Sequence, residues 1–146
     1  MAQRSPIRRH AAALLAASAL AAAQPALAAG GEVVEKGIAH QLVTAQKLPN
    51  VPGDSLTAVR VDLAPGALSP SHRHPGFVLA YVLAGTVRSQ LGDGPVVDYH
   101  AGQSWVEPPG TLHTLTTNPS ATEPASLLAV WVAPDGAQLV VPPDSK

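Results

Sequence analysis

Two histidines stand at a spacing that suits the binding of a metal ion. His72 and His74 are separated by one residue, and His113 follows further along the chain. On an extended backbone, side chains two positions apart project to the same face, about 7 Å apart along the strand. Two imidazoles in this arrangement can chelate one ion, because neutral imidazole is a common ligand of divalent metals. Two solvated His on a surface loop are the alternative.

The elements that must position these histidines are short strands. Fifteen Pro and twelve Gly interrupt the chain, and no apolar pattern at helical spacing persists. Short strands between turn residues are typical of an all-β sandwich or barrel. The arm from Pro134 onward is expected to lie along a sheet edge. The predicted strands cover residues 38–45, 59–63, 77–83, 86–91, 96–100, 104–107, 113–117 and 126–133.

Two features refine this prediction. The run 77–83 is apolar throughout, which is the pattern of a strand buried on both faces. Gly92-Asp93-Gly94 predicts a hairpin turn. Four aromatic residues on the predicted strands are expected in the core, with a cavity lining as the alternative. These residues are Phe77, Tyr81, Trp105 and Trp131.

The N-terminus has the parts of a secretory signal peptide in their usual order. Residues 1–10 contain three Arg and no acidic residue, and residues 11–23 are an unbroken run of Ala, Leu and one Ser. A small-residue series then offers a cleavage site after Ala28. The apolar run is shorter than the about 20 residues that a membrane-spanning helix needs.

We therefore expect a helical signal peptide over residues 1–28 and one mature domain over 29–146, located in the periplasm or secreted. The Sec and twin-arginine routes both stay open, because the residues after Arg8-Arg9 are Ala rather than bulky apolar residues. The chain has no Cys, so packing, with or without a bound metal, must stabilise this domain without disulfides.

The charge of the chain excludes two classes of partner. The formal net charge is −1, and much of the positive charge belongs to the predicted signal peptide. The mature domain has no basic patch that could neutralise phosphates, so nucleic-acid binding is not expected. Binding to a membrane surface after signal cleavage is not expected for the same reason.

Two stretches of the chain resemble the two sequence motifs of the cupin superfamily. The first motif runs from a Gly through five residues to H-x-H, then to a Glu and a final Gly. The second runs from a Gly through five residues to P-x-G, then to a His and an Asn. The resemblance covers about residues 56–133. The residues that match are Gly66, His72, His74, Gly85, Gly102, Pro108, Gly110 and His113.

The resemblance implies an all-β fold, a single conserved-barrel, jelly-roll-like cupin domain. It also implies that His72, His74 and His113 bind one divalent metal ion. Three imidazoles suit Fe(II), Mn(II), Ni(II), Cu(II) and Zn(II), so the identity of the metal stays open. The chain is similar to the quercetin-dioxygenase-like group, which implies a metal-dependent, dioxygenase-like enzyme acting on a small organic substrate. A non-catalytic module that binds a small ligand or a metal is the alternative, because fold does not fix function. A homodimer is also left open.

Two positions depart from the motifs. The motif Glu falls on Val78, which cannot bind a metal, so the set loses the carboxylate that is usual in the family. The motif Asn falls on Thr117, with Asn118 one place late. Glu107 precedes the turn that delivers His113 and is therefore the candidate fourth ligand or pocket residue. Its alternative interpretation, which we favour at this stage, is a solvated Glu at a strand end.

Other polar residues near these strands are expected at the surface rather than in the site. They lie at strand ends, on strands without a motif match, or, in one case, between the two histidines of the first motif, where strand alternation turns the side chain away. These residues are His40, His100, Asp98 and Arg73.

Overall fold

The computed structural model of the protein describes residues 33–145, and within this range the chain forms eleven β-strands and no helix. Accordingly, no described segment is a helix of the length and apolar character needed to cross a membrane. The signal peptide predicted over residues 1–28 lies outside the described residues. The strands are β1 (Val33–Glu35), β2 (Ile38–Lys47), β3 (Asp54–Leu63), β4 (Leu68–Ser69), β5 (His72–Arg73), β6 (Phe77–Ala84), β7 (Thr86–Leu91), β8 (Val97–His100), β9 (Ser104–Glu107), β10 (Leu112–Thr117) and β11 (Ala125–Pro134).

The all-β prediction is confirmed, and every predicted strand is present with bounds shifted by a few residues at most. The strands form two antiparallel sheets. Six strands lie in the order β1-β2-β3-β11-β6-β9, and the second sheet has the order β4-β10-β7-β8, with β5 also paired to β10. Side chains from both sheets, such as Leu63, Val82 and Val87, are packed into one buried apolar cluster.

Strand β6 corrects one prediction. Its side chains alternate between buried and exposed, so Val78 is 1% exposed while Phe77 and Tyr81 are 40% and 42% exposed. The prediction that residues 77–83 are buried on both faces, with both aromatic residues in the core, is therefore wrong. The reason is that this strand belongs to an antiparallel sheet whose outer face is open to solvent, a common arrangement. Trp105 and Trp131, by contrast, are buried as expected.

Glycines at two turns have positive φ angles, and one of these turns contacts the first motif. Gly85 ends β6 with a φ of +69°, and a Cβ there would lie 2.6 Å from the carbonyl oxygen of Pro124, so only Gly fits. Gly110 has a φ of +75°, and its N–H donates a hydrogen bond of 2.8 Å to the carbonyl of His74. This hydrogen bond connects the turn of the second motif directly to the first motif.

Asn118 fixes the start of the loop after β10. It is buried, and its Nδ2 donates hydrogen bonds to the carbonyls of Leu63, Ala64 and Glu123 at 2.8 to 3.2 Å. Its Oδ1 accepts a hydrogen bond from the backbone N–H of Ser120. One side chain therefore connects β3 to the loop that precedes β11, a role that the sequence did not indicate.

The C-terminal arm follows β11 and lies along β5, which confirms the expectation that it follows a sheet edge. Val141 and Arg73 exchange backbone hydrogen bonds of 3.0 and 2.9 Å. The Arg73 guanidinium donates to the carbonyls of Pro143 and Gly110, each at 2.6 Å. Arg73 is therefore half-buried and holds the C-terminal arm through its hydrogen bonds. It is not the simple surface residue expected from the sequence.

Candidate metal centre

The fold brings the three predicted histidines together. His72 on β5 and His113 on β10 are directly opposite each other in register, and His74 follows β5 by one residue. One nitrogen from each of the three imidazoles can be chosen so that all lie within 4.8 Å of one another. His74 and His113 are buried, and His72 is half-buried. The cluster therefore offers three nitrogen donors from two strands at one place.

Backbone carbonyls orient two of the imidazoles. His72 Nδ1 lies 2.7 Å from the carbonyl oxygen of Pro70, and His74 Nδ1 lies 2.6 Å from that of Leu139. When each Nδ1 carries the proton and donates to its carbonyl, each Nε2 presents a lone pair, and the two Nε2 atoms are 3.1 Å apart. Two lone pairs at this separation repel each other unless a proton or a cation lies between them. Metal-binding histidines are commonly held in this way by a second hydrogen bond.

Trp131 provides a second contact to the same ring. Its Nε1 lies 3.0 Å from His74 Nδ1, and an indole N–H can only donate. This contact is a hydrogen bond only in the tautomer whose proton is on Nε2, where that proton would point towards His72. The tautomer that donates to Leu139 is the one that frees Nε2 for a metal.

Two hydroxyl groups hold the third imidazole. Ser89 Oγ and Thr116 Oγ1 each lie 2.8 Å from His113 Nε2. Ser89 is on β7, directly opposite Thr116 on β10, so the pairing of these strands places both hydroxyls on one ring. Sequence reasoning missed both residues, because a lone Ser or Thr on a strand carries no signal until the strand pairing is known.

Glu107 is buried beside the histidines, and the interpretation of a solvated Glu is wrong. The residue is 2% exposed, whereas its neighbour Val106 is 49% exposed, because alternation along β9 turns Glu107 inwards. Its Oε1 accepts a hydrogen bond of 3.0 Å from Trp105 Nε1 and lies 3.2 Å from His113 Nδ1. Its Oε2 lies 3.7 Å from His74 Nε2 and accepts no hydrogen bond from the described part of the chain.

Val78 lies where the motif predicted the vacant carboxylate position. Its side chain is 1% exposed and lines the same cavity as the three histidines, while Leu79 is on the outer face and is 38% exposed. Val78 on β6 is directly opposite Glu107 on β9. A carboxylate is therefore present at the site, but it comes from the neighbouring strand.

The protonation states at the site suit a metal ligand set. Burial is the main reason why the pKa of His72 and of His74 lies below its usual value, although the carbonyls of Pro70 and Leu139 act in the opposite direction. Burial also acts to raise the pKa of Glu107, but its contacts with His113, His74 and Trp105 outweigh burial and lower that pKa. Near neutral pH, His72 and His74 are therefore neutral ligands beside a carboxylate anion.

A cavity of about 400 Å³ extends from the histidines into the barrel. Small and aliphatic side chains form much of its wall, among them Val78, Ala80 and Ala129. Lys36 and His40 line it as well, and His40 is exposed, as the sequence predicted. The volume falls within the range of small-molecule sites, which is about 300–1,000 Å³.

The comparison with known families decides the identity of this barrel. The family described as Cupin_2, cupin domain, matches residues 59–131, which is half of the chain and includes all three histidines. The chain belongs to the cupin family. The resemblance of the two motifs is thereby confirmed for the superfamily, whereas the quercetin-dioxygenase-like group stays a prediction.

Similar proteins place the chain among diverse cupins. A germin-like protein 3-1 from Oryza sativa subsp. japonica is 34% identical over 101 residues, which is 66% of this chain and 45% of the relative. The chain spans less than half the length of the germin-like relatives that it matches.

Two solved structures share the fold. KdgF from Halomonas sp. has a TM-score of 0.58 at 23% identity, over 71% of this chain and 86% of the other. An oxalate decarboxylase mutant from Bacillus subtilis has a TM-score of 0.61 at 24% identity, over 77% of this chain and 30% of the other. At these identities the likeness shows the fold alone.

The residues of this cupin fit a divalent metal ion. Three imidazoles form the donor set, two of them oriented by carbonyls. The buried Oε2 of Glu107 faces the same cluster and has no hydrogen-bond donor among the residues that the structure describes. Both observations describe groups that a cation would satisfy, since buried carboxylates are stabilised by pairing or by metal coordination.

The remaining polar residues lie away from this site. His100 is exposed on β8, where its Nδ1 lies 3.0 Å from the hydroxyl of Thr86. Asp98 is exposed and accepts hydrogen bonds of 2.6 and 2.9 Å from Arg88. The expectation that both lie at the surface is confirmed.

Proposed function

We propose that this cupin binds one divalent metal ion through His72, His74 and His113 and is a metal-dependent, dioxygenase-like enzyme acting on a small organic substrate. The observation that carries the metal site is the pair of Nε2 atoms 3.1 Å apart, with both Nδ1 atoms held by carbonyls. This arrangement is preorganised for a cation, because neither ring needs to turn before it can bind one.

The protein supplies position, enclosure and charge. The carbonyls of Pro70 and Leu139 fix the tautomers of two imidazoles, and the hydroxyls of Ser89 and Thr116 hold the third. A bound metal of this kind would supply Lewis acidity and, if it is redox-active, the activation of oxygen. Three imidazoles leave coordination positions open for a substrate.

The cavity supports a small, largely apolar substrate with a polar group directed at the histidines. Its volume of about 400 Å³ excludes large ligands, and its aliphatic wall favours an apolar body. One structural neighbour is named an oxalate decarboxylase, so this fold accommodates chemistry on a small organic molecule in that protein. This supports a small substrate for the present chain without selecting a reaction.

Metal content combined with oxygen consumption tests the proposal. We expect about one divalent ion per chain in protein purified from its native compartment, and oxygen uptake with at least one member of a panel of enediols, flavonols, diketones and thiols. Protein that contains no ion would overturn the metal site. A loaded protein that consumes no oxygen with any of these compounds would overturn the dioxygenase-like activity.

A non-catalytic module is the second candidate function. The observation that favours it is Val78, which removes from β6 the carboxylate that could also act as a base. Such a module would bind the same small molecules reversibly in the cavity. Calorimetric titration that shows saturable binding, with the ligand recovered unchanged, would favour the module over the enzyme.

Export and the oligomeric state of the protein can each be tested directly. We propose that residues 1–28 are removed after Ala28 and that the mature protein is periplasmic or secreted. N-terminal sequencing of exported material should begin at Ala29, and exported protein that still begins at Met1 would contradict this. Sedimentation velocity on the mature chain would decide between a monomer and the homodimer.

A further inference from the structure

We propose that Glu107 supplies from β9 the anionic metal ligand that the cupin motif places on β6. This rests on the proposed metal site and names its fourth ligand. The motif position on β6 is held by Val78, so the three imidazoles alone form a neutral set. The carboxylate at the site belongs instead to the residue directly opposite Val78 in the sheet.

Because β6 and β9 are paired, a carboxylate from either strand can enter the same site. Residues directly opposite each other in an antiparallel pair have Cβ atoms about 4.5–5.5 Å apart and point to the same face. Val78 and Glu107 are such a pair, and both line the cavity of the histidines. The next pair, Leu79 and Val106, points to the opposite, exposed face. A Glu side chain from either inward position can therefore reach the same point.

The distances between the donor atoms match a single ion. Ligand atoms that are each about 2.0–2.2 Å from one ion lie roughly 3.0–3.5 Å from one another. His72 Nε2 and His74 Nε2 are 3.1 Å apart, and His113 Nδ1 and Glu107 Oε1 are 3.2 Å apart. Glu107 Oε2 is 3.7 Å from His74 Nε2. The two carboxylate oxygens therefore lie beside two of the three imidazoles, one at the separation expected for ligands of a single ion and the other slightly beyond it.

The two oxygens of Glu107 differ in their contacts. Oε1 is held by Trp105 Nε1 at 3.0 Å, while Oε2 is buried and accepts no hydrogen bond within residues 33–145. A buried carboxylate oxygen without a donor or a cation is strongly unfavourable. Coordination to a metal at the histidine cluster would satisfy Oε2 and leave the hydrogen bond from Trp105 to Oε1 in place. In a monodentate carboxylate ligand, one oxygen binds the metal and the other stays available for hydrogen bonds.

The competing role is that Glu107 only positions His113. In that case a neutral group of the same shape would serve, because the side-chain oxygen of Gln can still accept from Trp105. Loss of a partner that merely orients a ligand lowers metal affinity by about 10–100-fold. Glu107→Gln therefore separates the two roles, since it keeps the shape and removes the charge.

The experiment compares the parent, three variants and one reference double variant, Val78→Ala/Glu107→Val, each as the full mature chain stripped of metal and titrated with Co²⁺ and with Zn²⁺. The variants are Glu107→Gln, the exchange Val78→Glu/Glu107→Val, and the control Glu123→Gln, which removes an exposed carboxylate. We expect Glu107→Gln to lower affinity by about a hundredfold or more and to change the visible absorption of bound Co²⁺, because a ligand is lost. The exchange variant should recover most of the affinity, and the control should match the parent.

Each outcome has a separate meaning. If Glu107→Gln binds Co²⁺ as tightly as the parent with the same absorption spectrum, Glu107 is not a ligand and this inference fails while the histidine site stands. If the parent binds no metal, the proposed function fails as well. The exchange variant is an independent test. A folded exchange protein, verified by circular dichroism, that binds no better than a Val78→Ala/Glu107→Val double variant would contradict the inference.

Discussion

The two faces of strand β6 carry side chains of opposite size. The inward residues Val78, Ala80 and Val82 are small or of moderate size, whereas Phe77 and Tyr81 face outwards and are 40% and 42% exposed. A sheet built for the tightest core would have the reverse arrangement, because large apolar side chains stabilise most when they are buried. This difference indicates that the side chains do not fill the interior, and the unfilled space is the cavity beside the histidines.

The faces also differ in polarity. The inner face carries Glu107, which is buried among imidazoles, and the outer face carries Val106 at the adjacent position on β9. A buried charge is unfavourable unless something pairs with it, so the inner face gives up stability that the outer face does not.

The largest effect is expected from removing the three histidines that line the cavity. His72→Ala, His74→Ala and His113→Ala should each lower bound metal by about an order of magnitude or more, because each leaves only two imidazoles. The triple variant should bind none, while His100→Ala on β8, which is exposed, should bind as the parent does. Elemental analysis after equilibrium dialysis measures this. A triple variant that retains the parent's metal would show that the site is elsewhere.

A carboxylate introduced on each face in turn gives the next largest effect. Val78→Glu adds a second buried carboxylate opposite Glu107, which without metal should destabilise the fold by several kcal/mol, of order the cost of an unpaired buried charge. Metal should rescue this variant, so its metal-dependent rise in melting temperature should exceed that of the parent. Leu79→Glu, on the outer face, should show the parent's rise. A larger rise for Leu79→Glu would show that the inner face of β6 is assigned wrongly.

Filling the cavity tests whether the small inner residues serve function. Ala80→Leu should cost about 1–3 kcal/mol of stability through overpacking and should abolish binding of the small-molecule substrate. Metal content should stay unchanged, because Ala80 lines the wall and is not a ligand. Ala84→Leu, at an exposed position on the same strand, is the control. Ligand titration and chemical denaturation measure the two effects, and unchanged substrate binding in Ala80→Leu would contradict the assignment of the cavity.

The smallest effect is the dependence of stability on pH in the metal-free protein. Burial lowers the pKa of His72 and His74 in the folded state, so the unfolded chain binds more protons below about pH 6.5. The stability linked to these groups is therefore present above that pH and is lost as the pH falls below it. The double variant His72→Ala/His74→Ala should have a shallower slope of unfolding free energy between about pH 6.5 and 5. Denaturant titrations of the parent and of this double variant at several pH values measure the two slopes.

The sequence predicted the strands and the three histidines well, because both depend on local pattern. Alternation and turn residues marked each long strand, and two motifs marked the imidazoles. It failed for the outer face of β6, since an apolar run does not reveal which side of a sheet stays uncovered. It also failed for Glu107, because the direction of that side chain depends on how β9 pairs with β6. The contact from the carbonyl of Leu139 could not be predicted either, because it depends on where the C-terminal arm lies.

The contact between His74 and Leu139 has a consequence for the order of folding. It joins residues 65 positions apart. Closing a loop of this length costs conformational entropy, so such a contact forms only when other interactions offset that cost. A chain that has collapsed but not yet docked its arm has a His74 ring free to take either tautomer. If the chain binds a metal as proposed, tight binding should therefore come last in folding, and the rate at which a refolding chain takes up Co²⁺ would report when the C-terminal arm has docked.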